Sequence, residues 1–318
     1  MIEGKKVLIT GGAGFIGSHL IEELAPSNDV TVLDSLDRDA FTARGLADTH
    51  RVDLVVGDVL DEALVNKVTA GQEIIIHCAA IAGIHTVVER PVQTLRVNIM
   101  GSWNVLEAAA RAGDAERVVC FSTSEIFGRH ASDVTETMDA SVGPTGQPRY
   151  TYAVGKLAEE HLAIAYYQEQ NLPTVVLRPF NVYGPGQVGE GAIRNFVTQA
   201  LASEDLVISG TGSHTRAWTY VKDMVAGVVA AVSVPAAVGD HFNIGNPQAT
   251  ISVADLASMI VDEAGSSSAI AHTVGDEADV VSRSPRIDKA QEVLGFEPQV
   301  GLAEGIRLTV DYYRAQLS

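Results

Sequence analysis

A tyrosine and a lysine in one helical pattern are the residues best suited to chemistry in this sequence. Tyr152 precedes Lys156 by four positions, a spacing that places both side chains on one helical face. A nearby ammonium, together with the positive charge of an oxidised hydride acceptor, stabilises a phenolate and lowers the tyrosine pKa toward neutrality, which would let Tyr152 accept a hydroxyl proton. Thr123 follows an apolar, strand-like run and would add a hydrogen-bonding hydroxyl. The trio predicts proton removal from an alcohol while a hydride leaves the same carbon.

A glycine-rich turn near the N-terminus predicts the acceptor of that hydride. Gly11, Gly14 and Gly17 directly follow the first apolar run, and a helical pattern begins among them at Phe15 and Ile16. Glycine permits a tight turn and a close approach of a pyrophosphate, while the helix N-terminus offers N–H groups to the phosphates. The pattern therefore predicts a dinucleotide site.

Residues at the ends of the next strands extend this predicted site. Asp34 ends the second run, where its carboxylate would bind the ribose hydroxyls and repel a 2′-phosphate, so NAD is favoured over NADP. Arg38, a basic residue close by, argues in the other direction. Asp58 ends the third run and could meet the adenine amine. Small or apolar residues stand where the backbone would pass close to the cofactor: Val59, Ala79 and Ala80.

Short apolar runs and longer helical patterns alternate through the first half of the chain. Apolar strands spaced by helices indicate a parallel sheet covered on both faces, and right-handed crossovers make it a doubly wound α/β sheet of the Rossmann type. The predicted strands are Val7–Thr10, Val30–Asp34, Leu54–Val56, Ile74–Cys78, Val118–Ser122 and Thr174–Arg178. The predicted helices between them are Phe15–Leu24, Val92–Arg111 and Tyr152–Gln168.

The pattern changes after about residue 179. Glycine and proline become dense, and helical patterns return at Ala192–Ala202, Val253–Ala264 and Gly301–Arg314. We therefore predict an NAD-binding Rossmann domain over residues 1–178. A smaller substrate-binding region would occupy residues 179–318, with segments that cross back to the sheet.

Composition argues against several kinds of partner. The chain has 22 basic and 40 acidic residues, a net charge of −18, whereas nucleic acids and anionic membrane surfaces need a basic face. No apolar run approaches the roughly 20 residues of a membrane span, and no signal-peptide pattern precedes the first strand, so we expect a cytoplasmic protein. Cys78 and Cys120 lie in apolar runs and are expected to be core thiols, and we predict no metal site.

These motifs together resemble the extended short-chain dehydrogenase/reductase family of nucleotide-sugar epimerases, dehydratases and decarboxylases. The resemblance covers essentially the whole chain. It implies that Thr123 binds the sugar 4-hydroxyl, that Tyr152 is the base, and that Lys156 contacts the ribose and activates the tyrosine. It rests on Asp34 and on GGAGFIGSHL (11–20), HCAA (77–80), VNIMGSWNVLEAA (97–109), STSEIFG (122–128), YAVGK (152–156), RPFNVYGPG (178–186) and TRAWTYVKDM (215–224).

The resemblance also implies further binding residues and an assembly. Asn98 would belong to the NAD site, while Asn181 and Arg216 would help to hold the nucleotide diphosphate of a UDP-sugar. Arg216 would then explain how so acidic a protein binds an anionic substrate. The helical patterns at 92–111 and 152–168 are similar to the pair that forms a four-helix dimer interface in the family, so a homodimer is expected.

The residues after Thr123 bear on the fate of the sugar once it is oxidised at C4. Dehydratases of the family have an aspartate acid where this chain has Ser124, and a serine is not a useful general acid near neutral pH, so dehydration is disfavoured. The sequence Thr123-Ser124-Glu125 resembles UDP-glucuronate decarboxylases and is compatible with some uronate 4-epimerases. Arg283, in Arg283-Ser-Pro-Arg-Ile287, matches the position of an arginine segment of the decarboxylases, with substitutions.

Two segments favour epimerisation over decarboxylation. The stretch 83–86 resembles the epimerase loop, and the 152–156 helix differs from the Tyr-Asp-Glu-Gly-Lys usual in decarboxylases. We therefore predict an NAD-dependent 4-epimerase that converts UDP-glucuronate to UDP-galacturonate. UDP-glucuronate decarboxylase and UDP-hexose 4-epimerase are the alternatives. A non-catalytic NAD(H)-binding regulator is disfavoured, because its catalytic set should be broken and this one is intact.

Overall fold

The computed structural model describes residues 2–274 and 280–317. Its strands are β1 Lys6–Thr10, β2 Asp29–Asp34, β3 Val52–Val56, β4 Ile74–His77, β5 Arg117–Phe121, β6 His130–Val134, β7 Thr174–Pro179, β8 Val182–Tyr183, β9 Leu206–Ser209, β10 Thr215–Ala217, β11 Thr219–Tyr220, β12 His241–Ile244, β13 Thr250–Ser252, β14 Ile270–Thr273 and β15 Ser282–Pro285. Its α-helices are α1 Phe15–Leu24, α2 Ala40–Ala43, α3 Leu46–Thr49, α4 Glu62–Thr69, α5 Ile84–Glu89, α6 Pro91–Leu95, α7 Ser102–Ala112, α8 Thr151–Gln170, α9 Ala192–Leu201, α10 Val221–Ser233, α11 Val253–Ala264 and α12 Leu302–Gln316.

The centre of the molecule is a seven-stranded parallel sheet in the order β12-β7-β5-β4-β1-β2-β3. The order reverses direction at β1, which lies between β2 and β4. In sheets of this kind, ligands bind beyond the carboxyl ends of the strands at such a switch point. The predicted doubly wound α/β class is confirmed.

Successive residues of β1 show how the sheet is covered on both faces. Val7 and Ile9 face a core formed with α1 and α10, whereas Leu8 faces a second core formed with α7 and α8. All three side chains are fully buried. A strand that is buried on both faces must be apolar throughout, which is why the strand runs show no polar alternation.

The predicted helix Val92–Arg111 is not one regular helix. It consists of α6, a π-helical segment from Arg96 to Gly101, and α7. The segment contains Asn98, whose side-chain amide donates to the carbonyl of Ile81 and accepts from its N–H. A π-bulge accommodates one extra residue per turn, and apolar periodicity alone does not reveal it.

The C-terminal region adds one strand and one helix to the central layers. The strand β12 pairs with β7, and α10 packs against α1. The remaining strands include a four-stranded sheet in the order β13-β10-β15-β6, in which Arg216 of β10 is in register with Arg283 of β15. Among the helices that the structure describes, none is long and apolar enough to cross a membrane.

Candidate active site

One cavity of about 1040 Å³ opens at the carboxyl ends of the central strands. Its walls come from the glycine turn after β1, the ends of β2 to β5, the first turns of α8, and strands β10 and β15 of the C-terminal region. Most of the residues predicted from the sequence line it: Gly11, Gly14, Phe15, Ile16, Gly17, Asp34, Asp58, Val59, Ala79, Ala80, Thr123, Ser124, Glu125, Tyr152, Lys156, Asn181, Arg216 and Arg283.

The glycine turn has no room for side chains. Gly11 has φ +69°, and a Cβ there would lie 2.5 Å from the backbone nitrogen of Ala79. A Cβ on Gly17 would lie 2.4 Å from the carbonyl oxygen of Gly11. The turn therefore packs α1 directly against β1, and the first residues of α1 line the cavity, where a helix N-terminus offers N–H groups. This arrangement fits the pyrophosphate of a dinucleotide.

Asp34 is held at the end of β2 in a position that suits a ribose. Its Oδ2 accepts from the N–H of Ala13 at 2.9 Å, and its Oδ1 accepts from the N–H of Leu36 at 2.8 Å. Each carboxylate oxygen has a second lone pair, so both can still accept from ribose hydroxyls. The guanidinium of Arg38 donates to the Thr86 hydroxyl at 2.8 Å, so its positive charge is held close to Thr86. These residues fit NAD.

Asn98 is the predicted cofactor residue that the structure does not bring to the cavity wall. It is fully buried, and its amide is used by the backbone of Ile81, just beyond β4. Its placement fixes the loop that contains Ala79 and Ala80. The role of Asn98 in the NAD site therefore stays a prediction, supported by its contact with that loop.

Thr123, Tyr152 and Lys156 converge at the centre of the cavity. Thr123 follows β5 and is 6% exposed, while Tyr152 and Lys156 occupy the first turns of α8. The Thr123 hydroxyl and the Tyr152 phenol line the same cavity, and the hydroxyl acts to lower the pKa of the phenol. The ammonium of Lys156 is buried and lies 2.5 Å from Oε2 of Glu159. The geometry allows Tyr152 to exchange a proton with a hydroxyl group placed beside Thr123.

The protein alone does not lower the pKa of Tyr152, so the predicted decrease depends on the positive charge of the oxidised hydride acceptor. Burial raises the pKa of this phenol, and the nearby charge of Glu125 adds to the increase. Lys156 and the Thr123 hydroxyl act in the opposite direction but do not prevail. An additional positive charge is needed to favour the phenolate, and an oxidised nicotinamide ring carries one.

Three charged side chains, Glu125, Arg216 and Arg283, line one part of the cavity. Nη1 of Arg283 lies 3.6 Å from Oε1 of Glu125, and Arg216 is in register beside Arg283. Both arginines are buried, at 9% exposure or less. Asn181 donates to the carbonyl of Ala217. The two guanidinium groups can accept the negative charge of a phosphate or a carboxylate.

The model of the NAD dependent epimerase/dehydratase family matches residues 7–245. The chain belongs to this family. Its cofactor is NAD, and the family acts on nucleotide sugars as epimerases and decarboxylases.

Three proteins similar to this chain match it over nearly its whole length. It is 32% identical over 320 residues to a UDP-N-acetyl-alpha-D-glucosaminuronate decarboxylase of Bacillus cytotoxicus, covering 98% of both chains. It is 35% identical to UDP-glucuronic acid decarboxylase 1 of Xenopus tropicalis, covering 98% of this chain and 73% of that one. The structure of a UDP-glucuronic acid 4-epimerase from Bacillus cereus, with UDP-glucuronic acid and NAD, has a TM-score of 0.89 and 30% identity, covering 98% and 100%.

Two acidic residues, Glu190 and Glu159, make contacts in the structure that the sequence analysis did not predict. Glu190 accepts from the N–H groups of His85 and Thr86 at 2.9 and 3.0 Å, and so connects the loop after β8 to the start of α5. Glu159 contacts Lys156. Its spacing of three residues from Lys156 was a usable signal, whereas nothing local to Glu190 indicates its partners. In the described ranges, no group of three His, Cys, Asp or Glu residues could hold a metal ion.

His77 lies behind the site and makes protein stability depend on pH. Its ring is fully buried between the hydroxyls of Thr10, at 2.6 Å, and Ser102, at 3.1 Å. Burial, helped by the charge of Lys156, lowers the pKa of His77 to about 3. The unfolded chain therefore binds a proton that the folded protein does not, from an ordinary pKa of 6.5 down to about 3.

We predict that His77 makes the free energy of unfolding fall by about 1.4 kcal/mol per pH unit over this window as the pH decreases. Denaturant titrations of the protein and of His77→Gln between pH 4 and 6.5 measure the effect. The variant should show the shallower pH dependence, and a variant of the exposed His161, His161→Gln, should match the unmodified protein. Parallel pH dependence of all three proteins would contradict the prediction.

Proposed function

We propose that the protein is an NAD-dependent 4-epimerase that converts UDP-glucuronate to UDP-galacturonate. The observation that carries the proposal is the continuity of one cavity. It joins the dinucleotide cradle, the pair Thr123 and Tyr152, and two buried arginines in register, Arg216 and Arg283. Hydride transfer, proton transfer and binding of an anionic sugar nucleotide can then occur in one enclosure.

The first half of the proposed reaction is oxidation at C4. The glycine turn and Asp34 would hold NAD, which when bound would supply the acceptor and donor for the C4 hydride. Thr123 would orient the 4-hydroxyl, and Tyr152 would take its proton, giving a 4-keto sugar. Lys156 would stabilise the resulting phenolate by its positive charge. On the return step Tyr152 would give the proton back to the new 4-hydroxyl.

The fate of the keto sugar depends on the charge around its carboxylate. A 4-keto uronic acid is a β-keto acid, and losing CO₂ requires the negative charge to move from the carboxylate to the C4 oxygen. Arg283 would hold that charge on the carboxylate and raise the barrier to its movement. Retention of the carboxylate, followed by hydride return to the opposite face, gives the 4-epimer. Arg216 would bind the diphosphate.

Decarboxylation is the second candidate, and two observations favour it. Glu125 lies 3.6 Å from Arg283 and would both neutralise the guanidinium and repel a substrate carboxylate. The two curated relatives described above are named as uronate decarboxylases, at 32% and 35% identity. Both candidates share the substrate class, the cofactor and the 4-keto intermediate.

We predict that incubation of the protein with UDP-glucuronate gives a product of unchanged mass, which chromatography identifies as UDP-galacturonate. Tyr152→Phe should lower kcat by about 10²–10⁴-fold, because the variant lacks the proton acceptor. The matched control is Tyr150→Phe, a phenol two residues earlier that does not line the cavity, and it should retain activity.

Release of CO₂ with a pentose nucleotide as product would contradict the epimerase proposal and support a UDP-glucuronate decarboxylase. Turnover unchanged by Tyr152→Phe would overturn the catalytic assignment for both.

We also propose a homodimer formed through α6, the π-helical segment and α7, together with α8. Large apolar side chains are exposed on these elements, including Val92 at 79%, Met100 at 48%, Trp103 at 46% and Val154 at 41%. Neighbouring exposed apolar residues favour a contact that removes them from water.

We predict that sedimentation gives about twice the monomer mass of 33.6 kDa. Trp103→Glu should shift the protein toward the monomer, since it would bury a charge in each half of the interface. Leu317→Glu changes an exposed apolar residue far from these helices in sequence and should remain dimeric. A monomeric unmodified protein at micromolar concentration would contradict the proposal.

A further inference from the structure

Glu159 lies directly behind the site, on α8, the helix that contains Tyr152 and Lys156. Oε2 of Glu159 is 2.5 Å from Nζ of Lys156, and the two side chains are 0% and 2% exposed. The other carboxylate oxygen, Oε1, accepts from the backbone N–H of Phe121 at 3.1 Å. Glu159 therefore connects the lysine to the end of β5, the strand that also positions Thr123.

Because the contact is buried, the protonation state of Lys156 depends on a nearby negative charge. A lysine removed from water favours the neutral amine, and an amine without its proton cannot stabilise a phenolate. Burial lowers the pKa of Lys156, but the Glu159 carboxylate, with smaller contributions from Tyr152 and Cys120, more than offsets this, so that the pKa lies above the ordinary value. Burial also raises the pKa of Glu159, and the charge of Lys156 opposes that increase and favours the carboxylate.

The contact also restricts where the ammonium can lie. Lysine has a flexible four-carbon stem, and a short, buried hydrogen bond selects one arrangement of it. Since Glu159 is fixed by the backbone of Phe121, the position of the ammonium is tied to the sheet and not to the mobility of its own side chain.

We propose that Glu159 is a positioning residue that keeps Lys156 charged and aligned beside Tyr152. Glu159 does not line the cavity and contacts Lys156 directly. Its negative charge also raises the pKa of Tyr152, but burial and the charge of Glu125 raise it more. The inference rests on the proposed function, because it assumes that Tyr152 accepts a proton during turnover.

Other titratable groups near the lysine do not replace Glu159. Burial raises the pKa values of the Cys78 and Cys120 thiols, which keeps both neutral, and burial keeps the His77 ring neutral as well. Glu125 lies on the cavity side, where its charge opposes ionisation of Tyr152. Among the described residues, the titratable groups that interact electrostatically with Lys156 include Tyr152 and Glu159 of α8. The others are His77 at the end of β4, Cys78 directly after it, and Cys120 of β5.

The adjacent residue provides a matched control. Glu160 is also buried, also on α8, and also paired with a cation, because its Oε1 lies 2.5 Å from Nη2 of Arg178. Its replacement by glutamine removes an ion pair of the same length and slightly lower burial but leaves Lys156 and Glu159 in place. The control therefore separates a loss of stability from a loss of lysine charge.

The test is the pH dependence of kcat for Glu159→Gln, Glu159→Asp and Glu160→Gln with UDP-glucuronate. In Glu159→Gln the buried ammonium loses its partner, so activity should fall at alkaline pH where the unmodified enzyme remains active. The ratio of kcat at pH 9.5 to kcat at pH 7.5 should be at least about threefold below the ratio of the unmodified enzyme. Glu159→Asp should restore part of the ratio, and Glu160→Gln should leave it unchanged.

A second measurement does not depend on turnover. The chain has six lysines, so the side-chain methylene signal of Lys156 can be assigned by NMR and titrated. Its midpoint should lie at a lower pH in Glu159→Gln than in the unmodified protein and in Glu160→Gln.

The two measurements separate failure of this inference from failure of the proposed function. An unmodified protein that does not turn over UDP-glucuronate would overturn the proposed function, while the NMR titration would still decide whether Glu159 holds the charge. Unchanged alkaline activity and an unchanged Lys156 midpoint in Glu159→Gln would overturn the inference. A loss of activity equal at all pH values, and equal in Glu160→Gln, would assign Glu159 a structural role only.

Discussion

The buried positive charge of Lys156 is the interaction on which the rest of the site depends. Removing an ammonium from water is unfavourable unless another charge compensates it, and here a carboxylate on the same helix does so. Burial raises the pKa of Tyr152, so this phenol ionises only when enough positive charge surrounds it. The protein supplies one such charge permanently. In the proposed mechanism oxidised NAD would bring the second, which would couple proton abstraction by Tyr152 to the presence of the hydride acceptor.

The balance of local and global charge also explains how an acidic protein can bind an anionic substrate. The net charge of −18 is spread over the whole molecule, whereas the cavity contains two buried arginines on adjacent strands. Positive charge in a partly enclosed, low-dielectric site attracts anions more strongly than exposed carboxylates repel them through water. The pairing of Arg283 with Glu125 adjusts this local charge at the end where a uronate carboxylate would lie.

The sequence was most informative where local patterns decide the structure. Apolar runs located the strands of the parallel sheet, because a strand covered on both faces has no alternation, and the spacing of Tyr152 and Lys156 placed both on α8. The interruption between α6 and α7 was not predicted, since apolar periodicity does not distinguish a π-helical segment from a continuous helix. Glu190 is separated from its partner His85 by 105 residues, and only the folded chain brings them together. The sign of the Tyr152 pKa shift also required the structure, because burial outweighs the neighbouring ammonium.

Hydride removal from C4 and its return to C4 is the central claim. The most direct measurement is the fate of deuterium in UDP-glucuronate that is labelled at C4, determined by NMR and mass spectrometry of the product. We expect the deuterium to remain at C4 of the product, whether or not the carboxylate is retained, because NAD accepts it and returns it to the same carbon. Loss of the deuterium to solvent, or its appearance at another carbon, would contradict the account.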